Sequence, residues 1–264
     1  MGKRVAVIGG GNMGGALVEG FLKSGRWGAT DIVVASPTET TRGRFQAMGL
    51  TTHAANPDAA AGADVVILAV KPWYIADVAR EIRSSLQPGA VVVSVAAGVP
   101  LETLEEFLGA ETPLFRAIPN IAAALCGSMT FVSCAGHHEK HAPAVLELFD
   151  TVGTAALIPE SQLDAAMVVA SCGTAYALRY LRAAMEAGIQ MGIKADLSRT
   201  AVAQTMKGAA ELILNSDLHP EAAIDQVTTP GGVTIVGLNA LEHNGFTSAV
   251  IEGHIVAHDH IKNK

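Results

Sequence analysis

Three glycines near the start of the chain have the spacing that holds a dinucleotide pyrophosphate. Gly9, Gly11 and Gly14 form GxGxxG directly after a short apolar run and at the start of a segment with helical spacing of apolar residues. The first glycine permits a tight turn, the second admits the pyrophosphate against bare backbone, and the third lets helix and strand pack closely. Exposed amides at the helix N-terminus then hold the anion. In this context the motif predicts a dinucleotide site.

The residue that ends the second predicted strand favours NADPH over NADH. An NAD-specific site usually carries Asp or Glu there, about twenty residues past the motif, to bond the ribose 2′-hydroxyl. This chain has Ser36, which does not repel a 2′-phosphate, and Arg42 and Arg44 follow where a guanidinium could pair with that group. The alternative is that both arginines lie on a solvated helix face. NADH stays open as a second cofactor.

A lysine follows a later predicted strand in the segment Ala69-Val70-Lys71-Pro72. Open α/β sheets place their ligands beyond the carboxyl ends of the strands. Pro72 stops the strand and would aim Lys71 at the ligand crevice, although an ordinary surface lysine is an equal alternative.

The composition excludes several classes of function. The net charge of −7, with no cluster of Lys and Arg, leaves no basic surface for nucleic acid. No stretch is long and apolar enough to span a bilayer, and the N-terminal apolar run breaks into glycines, which predicts a strand rather than a signal peptide. The three cysteines form no disulfide framework and have no zinc-like spacing. A cytoplasmic protein is therefore expected.

The histidines do not have the spacing of a metal site. His254 and His258 lie four apart on a predicted helix, but no third ligand accompanies them, which favours a solvated polar face. His137, His138 and His141 are expected to belong to a loop and a helix start. No metal is predicted.

The elements that position the glycine motif alternate between strand and helix. Strands are predicted at residues 4–8, 31–35, 64–69, 91–95, 114–118 and 130–133. Helices are predicted at residues 13–24, 39–48, 73–86, 101–108 and 139–149. This order predicts an α/β, Rossmann-type dinucleotide-binding domain with a mainly parallel sheet over residues 1–159.

Beyond residue 159 the strand-like alternation stops, and segments rich in Ala, Met and Leu follow. Residues 160–264 are predicted to form an all-α domain. Its helices are expected at residues 163–187, from an Asp196 N-cap to 214, from Pro220 onward, and at residues 234–242 and 247–261. Helices so low in charge would expose large apolar faces in a single chain. A homodimer or a higher homo-oligomer built through these helices is therefore expected.

With these motifs in view, the chain resembles the pyrroline-5-carboxylate reductase family over nearly its whole length. VIGGGNMG, ILAVKP, VSVAAGV and RAIPN follow the order of that family's cofactor domain. The second half adds AVAQTMKGAA, the pair His219-Pro220 and DQVTTPGGVTIVGLNALE, which is similar to the family signature. The resemblance implies NAD(P)H-dependent hydride transfer to the C=N carbon of 1-pyrroline-5-carboxylate, a small cyclic imino acid. The product is L-proline, and the reaction is the last step of proline biosynthesis.

The resemblance also implies site residues in both halves. Those that would hold the cofactor are Gly9, Gly11, Asn12, Met13, Gly14, Ser36, Asn56, Ala69, Lys71, Pro72, Ala97, Gly98 and Asn120. Those that would bind the substrate carboxylate and ring are Thr229, Gly231, Gly232, Val233 and Thr234. The hydroxyl of Thr234 would orient the ring nitrogen and is the one candidate catalytic group. Residues 229–234, taken alone, could also be an ordinary helix-initiating turn. We expect this turn and the glycine turn after the first strand to face a shared crevice.

Two departures from the family pattern leave alternatives open. Ile121 and Ala122 replace the usual Thr-Pro, and Cys172 and Thr174 replace a Ser and a Pro. A sister NADPH-dependent reductase of another cyclic imine, or a non-enzymatic dinucleotide sensor, therefore stays open. A β-hydroxyacid dehydrogenase is disfavoured, because the lysine that such enzymes carry on the long helix is missing from residues 163–187. The number of subunits, and whether two chains share each active site, also stay open.

Overall fold

The computed structural model describes residues 4–262, and the first part of them builds one eight-stranded sheet. Its strands are β1 Val5–Ile8, β2 Ile32–Ala35, β3 Thr51–His53, β4 Val65–Leu68, β5 Val91–Ser94, β6 Leu114–Ile118, β7 Ser128–Cys134 and β8 Gly153–Leu157. They lie side by side in the order β3-β2-β1-β4-β5-β6-β7-β8. All neighbours are parallel except β6 and β7, which are antiparallel. The expected Rossmann-type sheet is confirmed.

Helices cover both faces of this sheet. They are α1 Asn12–Lys23, α2 Glu39–Ala47, α3 Asn56–Ala60, α4 Ile75–Ile82, α5 Leu101–Leu108, α6 Ala142–Asp150 and α7 Leu163–Ala166. Alternate strand residues enter two separate cores: Val5 and Val7 pack into one, and Ala6 and Ile8 into the other. Strands buried on both faces have continuous apolar sequences, because neither side meets water. The central strands were predictable for that reason.

Several short elements differ from the sequence prediction. The helix predicted at residues 73–86 is three pieces, with 3₁₀ turns Pro72–Tyr74 and Arg83–Ser85 on either side of α4. The strands β3 and β8 and the helix α3 were not predicted. Both missed strands lie at the edges of the sheet, where pairing with one neighbour rather than a local apolar pattern defines them.

The later part of the chain is helical, as predicted. The helices are α8 Gly173–Gln190, α9 Ala195–Leu214, α10 Pro220–Val227, α11 Val233–His243 and α12 Phe246–Lys262, and a π-helical segment, Met167–Cys172, precedes them. Pro220 opens α10, as expected, and His219 is the N-cap, whose side chain accepts from the N–H of Glu221. Asp196 as an N-cap was wrong: Lys194 is the capping residue, and Asp196 lies in the first turn of α9. A carboxylate in the first turn still stabilises the helix through its interaction with the positive end of the helix dipole.

The chain separates into two compact units, which meet in sequence between Ser171 and Cys172. We call them the sheet unit and the helical unit. The predicted division between residues 159 and 160 stays a prediction.

The helical unit buries almost none of its own side chains. Between residues 172 and 262 only Gly188 and Ser198 are buried, and they meet where α8 packs against α9. Large apolar side chains are exposed on every helix of the unit, including Leu178, Leu212 and Val256. Within residues 4–262 no helix combines the length and apolar character needed to cross a membrane.

Candidate functional site

Packing explains two of the three motif glycines and leaves the other open to a ligand. Gly9 has φ +107°, and a Cβ there would lie 2.6 Å from the carbonyl oxygen of Ala69. A Cβ on Gly14 would overlap the carbonyl oxygen of Gly9. A Cβ on Gly11 would meet no atom within 4 Å. Neither the fold nor the backbone conformation at Gly11 requires glycine, whereas a group bound against the backbone would.

The first turn of α1 is built to receive an anion. Gly11 is the N-cap and offers no side-chain cap, and the first turn contains no acidic residue. The backbone N–H groups that open a helix have no partner inside it. Asn12, Met13 and Gly14 occupy this turn, so their amides and the positive end of the helix dipole face the open space beside Gly11.

The two predicted phosphate-binding arginines are anchored on the dinucleotide loops. Arg42 Nη1 donates to the carbonyl oxygens of Ser36 at 2.7 Å and Pro37 at 2.8 Å. Arg44 Nη2 donates to the carbonyl oxygen of Gly10 at 3.3 Å. Both side chains therefore contact the dinucleotide loops, Arg42 half-buried and Arg44 exposed, and their binding of a 2′-phosphate stays a prediction. Each guanidinium keeps further N–H donors, because it carries five.

Ser36 follows β2 and Asn56 follows β3, so both lie at the carboxyl ends of the parallel strands. Ser36 is buried, and its backbone N–H donates to the carbonyl oxygen of His53 at 3.0 Å. Asn56 opens α3, and its Nδ2 donates to Glu81 at 2.8 Å. The sequence had not indicated this contact with α4, which fixes the side chain.

The loops after β4 and β5 also lie at the carboxyl ends of the parallel strands. The N–H of Ala69 donates to Ile8 at 2.8 Å and that of Val95 donates to Leu68 at 3.0 Å, so the strands end side by side. Lys71 and Pro72 are exposed beyond β4, and Ala97 and Gly98 form a turn beyond β5 with φ +75° at the glycine.

Two exposed aromatic residues at these strand ends were not among the predicted site residues. Trp73 and Tyr74 follow Pro72 in a 3₁₀ turn, with 69% and 55% of their surface exposed and their ring centroids 6.0 Å apart. Exposed large aromatic rings at a ligand edge are typical contact surfaces for planar groups. Their position directly after the strand-ending proline is the signal that could have identified them.

Asn120 lies beyond β6 but is committed to the protein itself. Its Oδ1 accepts from the N–H of Ala122 at 2.9 Å, and its Nδ2 donates to the carbonyl oxygen of Ala170 at 3.1 Å. Its own N–H donates to Ser128 Oγ at 3.0 Å. Asn120 therefore caps the 3₁₀ helix Ile121–Leu125 and holds this loop in place, and its predicted contact with the cofactor stays a prediction.

In the helical unit, a glycine also stands at the N-cap of α11. Gly232 is the N-cap of α11 without a side-chain cap, and its N–H donates to the carbonyl oxygen of Thr229 at 2.9 Å. Gly231 has φ +70°, and a Cβ on Gly232 would overlap Thr229 Oγ1. Val233, 89% exposed, and Thr234 occupy the first helical turn. Residues 229–234 thus combine a tight turn, first-turn amides and hydroxyls, which suits a small carboxylate.

Two family models match the chain, one in each half. The model described as pyrroline-5-carboxylate reductase dimerisation matches residues 160–264. The model described as NADP oxidoreductase, coenzyme F420-dependent, matches residues 4–98.

Similar proteins are known by sequence and by structure. Pyrroline-5-carboxylate reductase 2 of Dictyostelium discoideum is 33% identical over 97% of this chain and 91% of its own length. Pyrroline-5-carboxylate reductase 1 of the same organism is 34% identical over 97% of this chain, which spans about half of that longer protein, 48%. The crystal structure of Plasmodium falciparum pyrroline carboxylate reductase with NADP bound has a TM-score of 0.85 and 26% identity. That match covers 99% of this chain and 97% of the other.

Proposed function

This chain belongs to the pyrroline-5-carboxylate reductase family, and from that membership we propose that it reduces 1-pyrroline-5-carboxylate to L-proline with NAD(P)H. The observation that carries the proposal is that the likeness extends through both halves, over 97% of the chain at 33% identity. A dinucleotide fold alone would fit many oxidoreductases, since folds host unrelated functions. The names of the relatives do not favour the sister-reductase or sensor alternatives.

The residues of the sheet unit fit a dinucleotide. When bound, NADPH supplies the hydride that adds to the imine carbon. The turn at Gly11 leaves room for the pyrophosphate against bare backbone, and the amides that open α1 would bind its charge. Ala69, Lys71 and Gly98 line the strand ends that would carry the nicotinamide half.

We propose that the protein binds NADPH in preference to NADH. Ser36 carries no charge to repel a 2′-phosphate, and Arg42 and Arg44 are already anchored at the two loops that flank its expected place. A guanidinium pairs with phosphate through two parallel hydrogen bonds, which makes such a site selective.

Residues 229–234 would hold the substrate. The amide of Val233 and the hydroxyl of Thr229 would bind the carboxylate, and the hydroxyl of Thr234 would bond the ring nitrogen. The N–H of Gly232 already donates to the carbonyl oxygen of Thr229, so Gly231 and Gly232 would shape the turn that presents these groups. A protonated imine is already electrophilic at carbon, so the protein needs mainly to position its two reactants. Thr234 orients and polarises; as an alcohol it is too weak an acid to donate a proton.

We also propose a homodimer or a higher homo-oligomer built through the helical unit. Exposed apolar side chains cover this unit, and the family model that matches it is described as a dimerisation region. Large exposed apolar patches are rare on stable monomers. Sedimentation velocity at micromolar concentration should give at least twice the chain mass, and a monomer there would contradict the proposal.

A reducing cytoplasm is the proposed location. All three cysteines are free thiols. Burial, and then the nearby Glu139 carboxylate, raise the pKa of the Cys134 thiol, so it stays protonated and unreactive near neutral pH.

The decisive experiment measures NADPH oxidation with 1-pyrroline-5-carboxylate and identifies the product as proline. Thr234→Ala should lower kcat about 10- to 100-fold, the loss expected for one hydrogen bond to a charged group. Thr228→Ala is the matched control, because its hydroxyl already donates to the carbonyl oxygen of Asp225 at 3.2 Å.

Each outcome has a separate meaning. Full turnover in Thr234→Ala would remove the role of that hydroxyl but leave the reaction standing. No proline from parent protein that is folded and binds NADPH would refute the proposed function itself.

A further inference from the structure

Three side chains with metal-ligand chemistry meet in the sheet unit, away from the dinucleotide loops. Glu105 on α5 and the adjacent His137 and His138, in the 3₁₀ helix Gly136–His141, each bring one ligand atom within 4.8 Å of the other two. Glu105 Oε1 lies 3.6 Å from His137 Nε2, and the two imidazole centroids are 3.9 Å apart. Ligand atoms around tetrahedral Zn²⁺ stand about 3.4 Å apart at bond lengths near 2.1 Å. The cluster can therefore close around one ion when separations of up to 4.8 Å shorten toward that value.

The ring of His138 is held as a metal ligand would be held. His138 is only 5% exposed, and its Nε2 has no hydrogen-bond partner among the described residues. The ring forms its hydrogen bond with the backbone of Ala110 instead. With no partner at Nε2, we assign this bond to Nδ1–H, which leaves the lone pair of Nε2 for an ion. Metal-binding histidines usually donate their second ring nitrogen to a carbonyl or carboxylate in this way.

A buried ring nitrogen without a partner calls for an explanation. Such a group loses its hydrogen bond to water and gains nothing in return, which costs about 1–3 kcal/mol. An ion bound through Nε2 would satisfy it. An ordinary ion pair between Glu105 and a protonated His137 would leave the nitrogen of His138 unexplained.

The cluster and the cofactor loops lie at opposite ends of the parallel strands. Cys134, at the end of β7, pairs with Phe115, near the start of β6, and the 3₁₀ helix with both histidines follows at once. The cofactor loops lie where the parallel strands end, whereas this cluster lies where they begin. An ion here would join α5 to the 3₁₀ helix before α6 and would not touch substrate.

We propose that Glu105, His137 and His138 form a structural Zn²⁺ site, with water at the fourth position. His137 is exposed enough to leave that position open to solvent. Two imidazoles and one carboxylate suit zinc and related first-row divalent ions, whereas Mg²⁺ prefers oxygen ligands and keeps its waters. The ion would stabilise the sheet unit and take no part in hydride transfer.

The test uses full-length protein without an affinity tag, stripped with a chelator and dialysed. Isothermal titration should show one Zn²⁺ per chain that raises the melting temperature, and Mg²⁺ at the same concentration should do neither. Glu105→Gln and His137→Asn should each raise the Kd for Zn²⁺ at least tenfold. Glu106→Gln, the exposed neighbouring carboxylate on α5, is the matched control and should leave the Kd unchanged.

A second measurement separates this site from other histidines and from catalysis. The dissociation constant for NADPH should stay within twofold in Glu105→Gln, because the two sites lie at opposite ends of the parallel strands. The proposal is overturned if no Zn²⁺ binds, or if its Kd is the same in Glu105→Gln, His137→Asn and the parent. Equal losses of Zn²⁺ and NADPH binding in Glu105→Gln would overturn the structural role.

Discussion

Replacing Gly11 with alanine should separate ligand binding from folding more cleanly than any other change in the glycine turn. The backbone there has φ −71° and ψ −161°, an extended conformation that alanine adopts without strain, and the new Cβ meets no atom within 4 Å. Alanine is a poorer N-cap than glycine, so about 1 kcal/mol of stability should be lost. The chain should still fold.

The same methyl group should weaken NADPH binding strongly. It would occupy the space through which the pyrophosphate approaches the amides of α1. Losing one or two charge-assisted hydrogen bonds costs about 3 kcal/mol, or roughly a hundredfold in Kd.

Gly9→Ala is the comparison for this test, since its φ of +107° and the 2.6 Å approach of its Cβ to Ala69 should lower stability by about 2–5 kcal/mol. Fluorescence titration with NADPH and urea unfolding would measure the two effects. Folded Gly11→Ala protein that binds NADPH as tightly as the parent would refute the placement of the pyrophosphate.

Three further changes test the cofactor pocket, the core of the sheet unit and the subunit interface. In steady-state assays, Arg44→Ala should raise the KM for NADPH about tenfold and change the KM for NADH less than twofold. Arg26 is exposed, and Arg26→Ala should change neither KM. Glu160→Ala should cost about 3 kcal/mol in urea unfolding, because it leaves the buried Arg116 guanidinium without its 2.8 Å partner; a loss below 1 kcal/mol would contradict this reasoning. Leu178→Glu should shift sedimentation toward the monomer if α8 contributes to the interface, and an unchanged mass would exclude that surface.

The central strands were predictable because burial on both faces leaves a pattern in the local sequence of each strand. A run such as Val91–Ser94 is buried on both faces, and its first three residues are valines. The strand Gly153–Leu157 lacks that signal, because small residues at a sheet edge take their conformation from the neighbouring strand. Local pattern therefore identifies the middle of the sheet and misses its margins.

The candidate site was predictable as motifs but not as contacts. The sequence left Arg42 and Arg44 equally able to face solvent or the cofactor loops, and only the folded chain shows their hydrogen bonds to the carbonyl oxygens of Ser36 and Gly10. Asn120 looked like a ligand contact, yet both ends of its amide are used within the fold. Glu105 and His137 are far apart in sequence, and the antiparallel turn-back of β7 brings them together.

The helical unit raises a question of stability that its own contacts do not answer. Ser198 and Gly188 are its only buried residues between positions 172 and 262, whereas a helix usually gains its stability from an apolar face packed into a core. Each exposed side chain of the size of Leu212 gains about 1.5–3 kcal/mol when it is covered, so a modest interface supplies more than such a unit can gain alone. In the proposed oligomer, folding and association of this unit would be linked by mass action, and its melting temperature should rise with protein concentration.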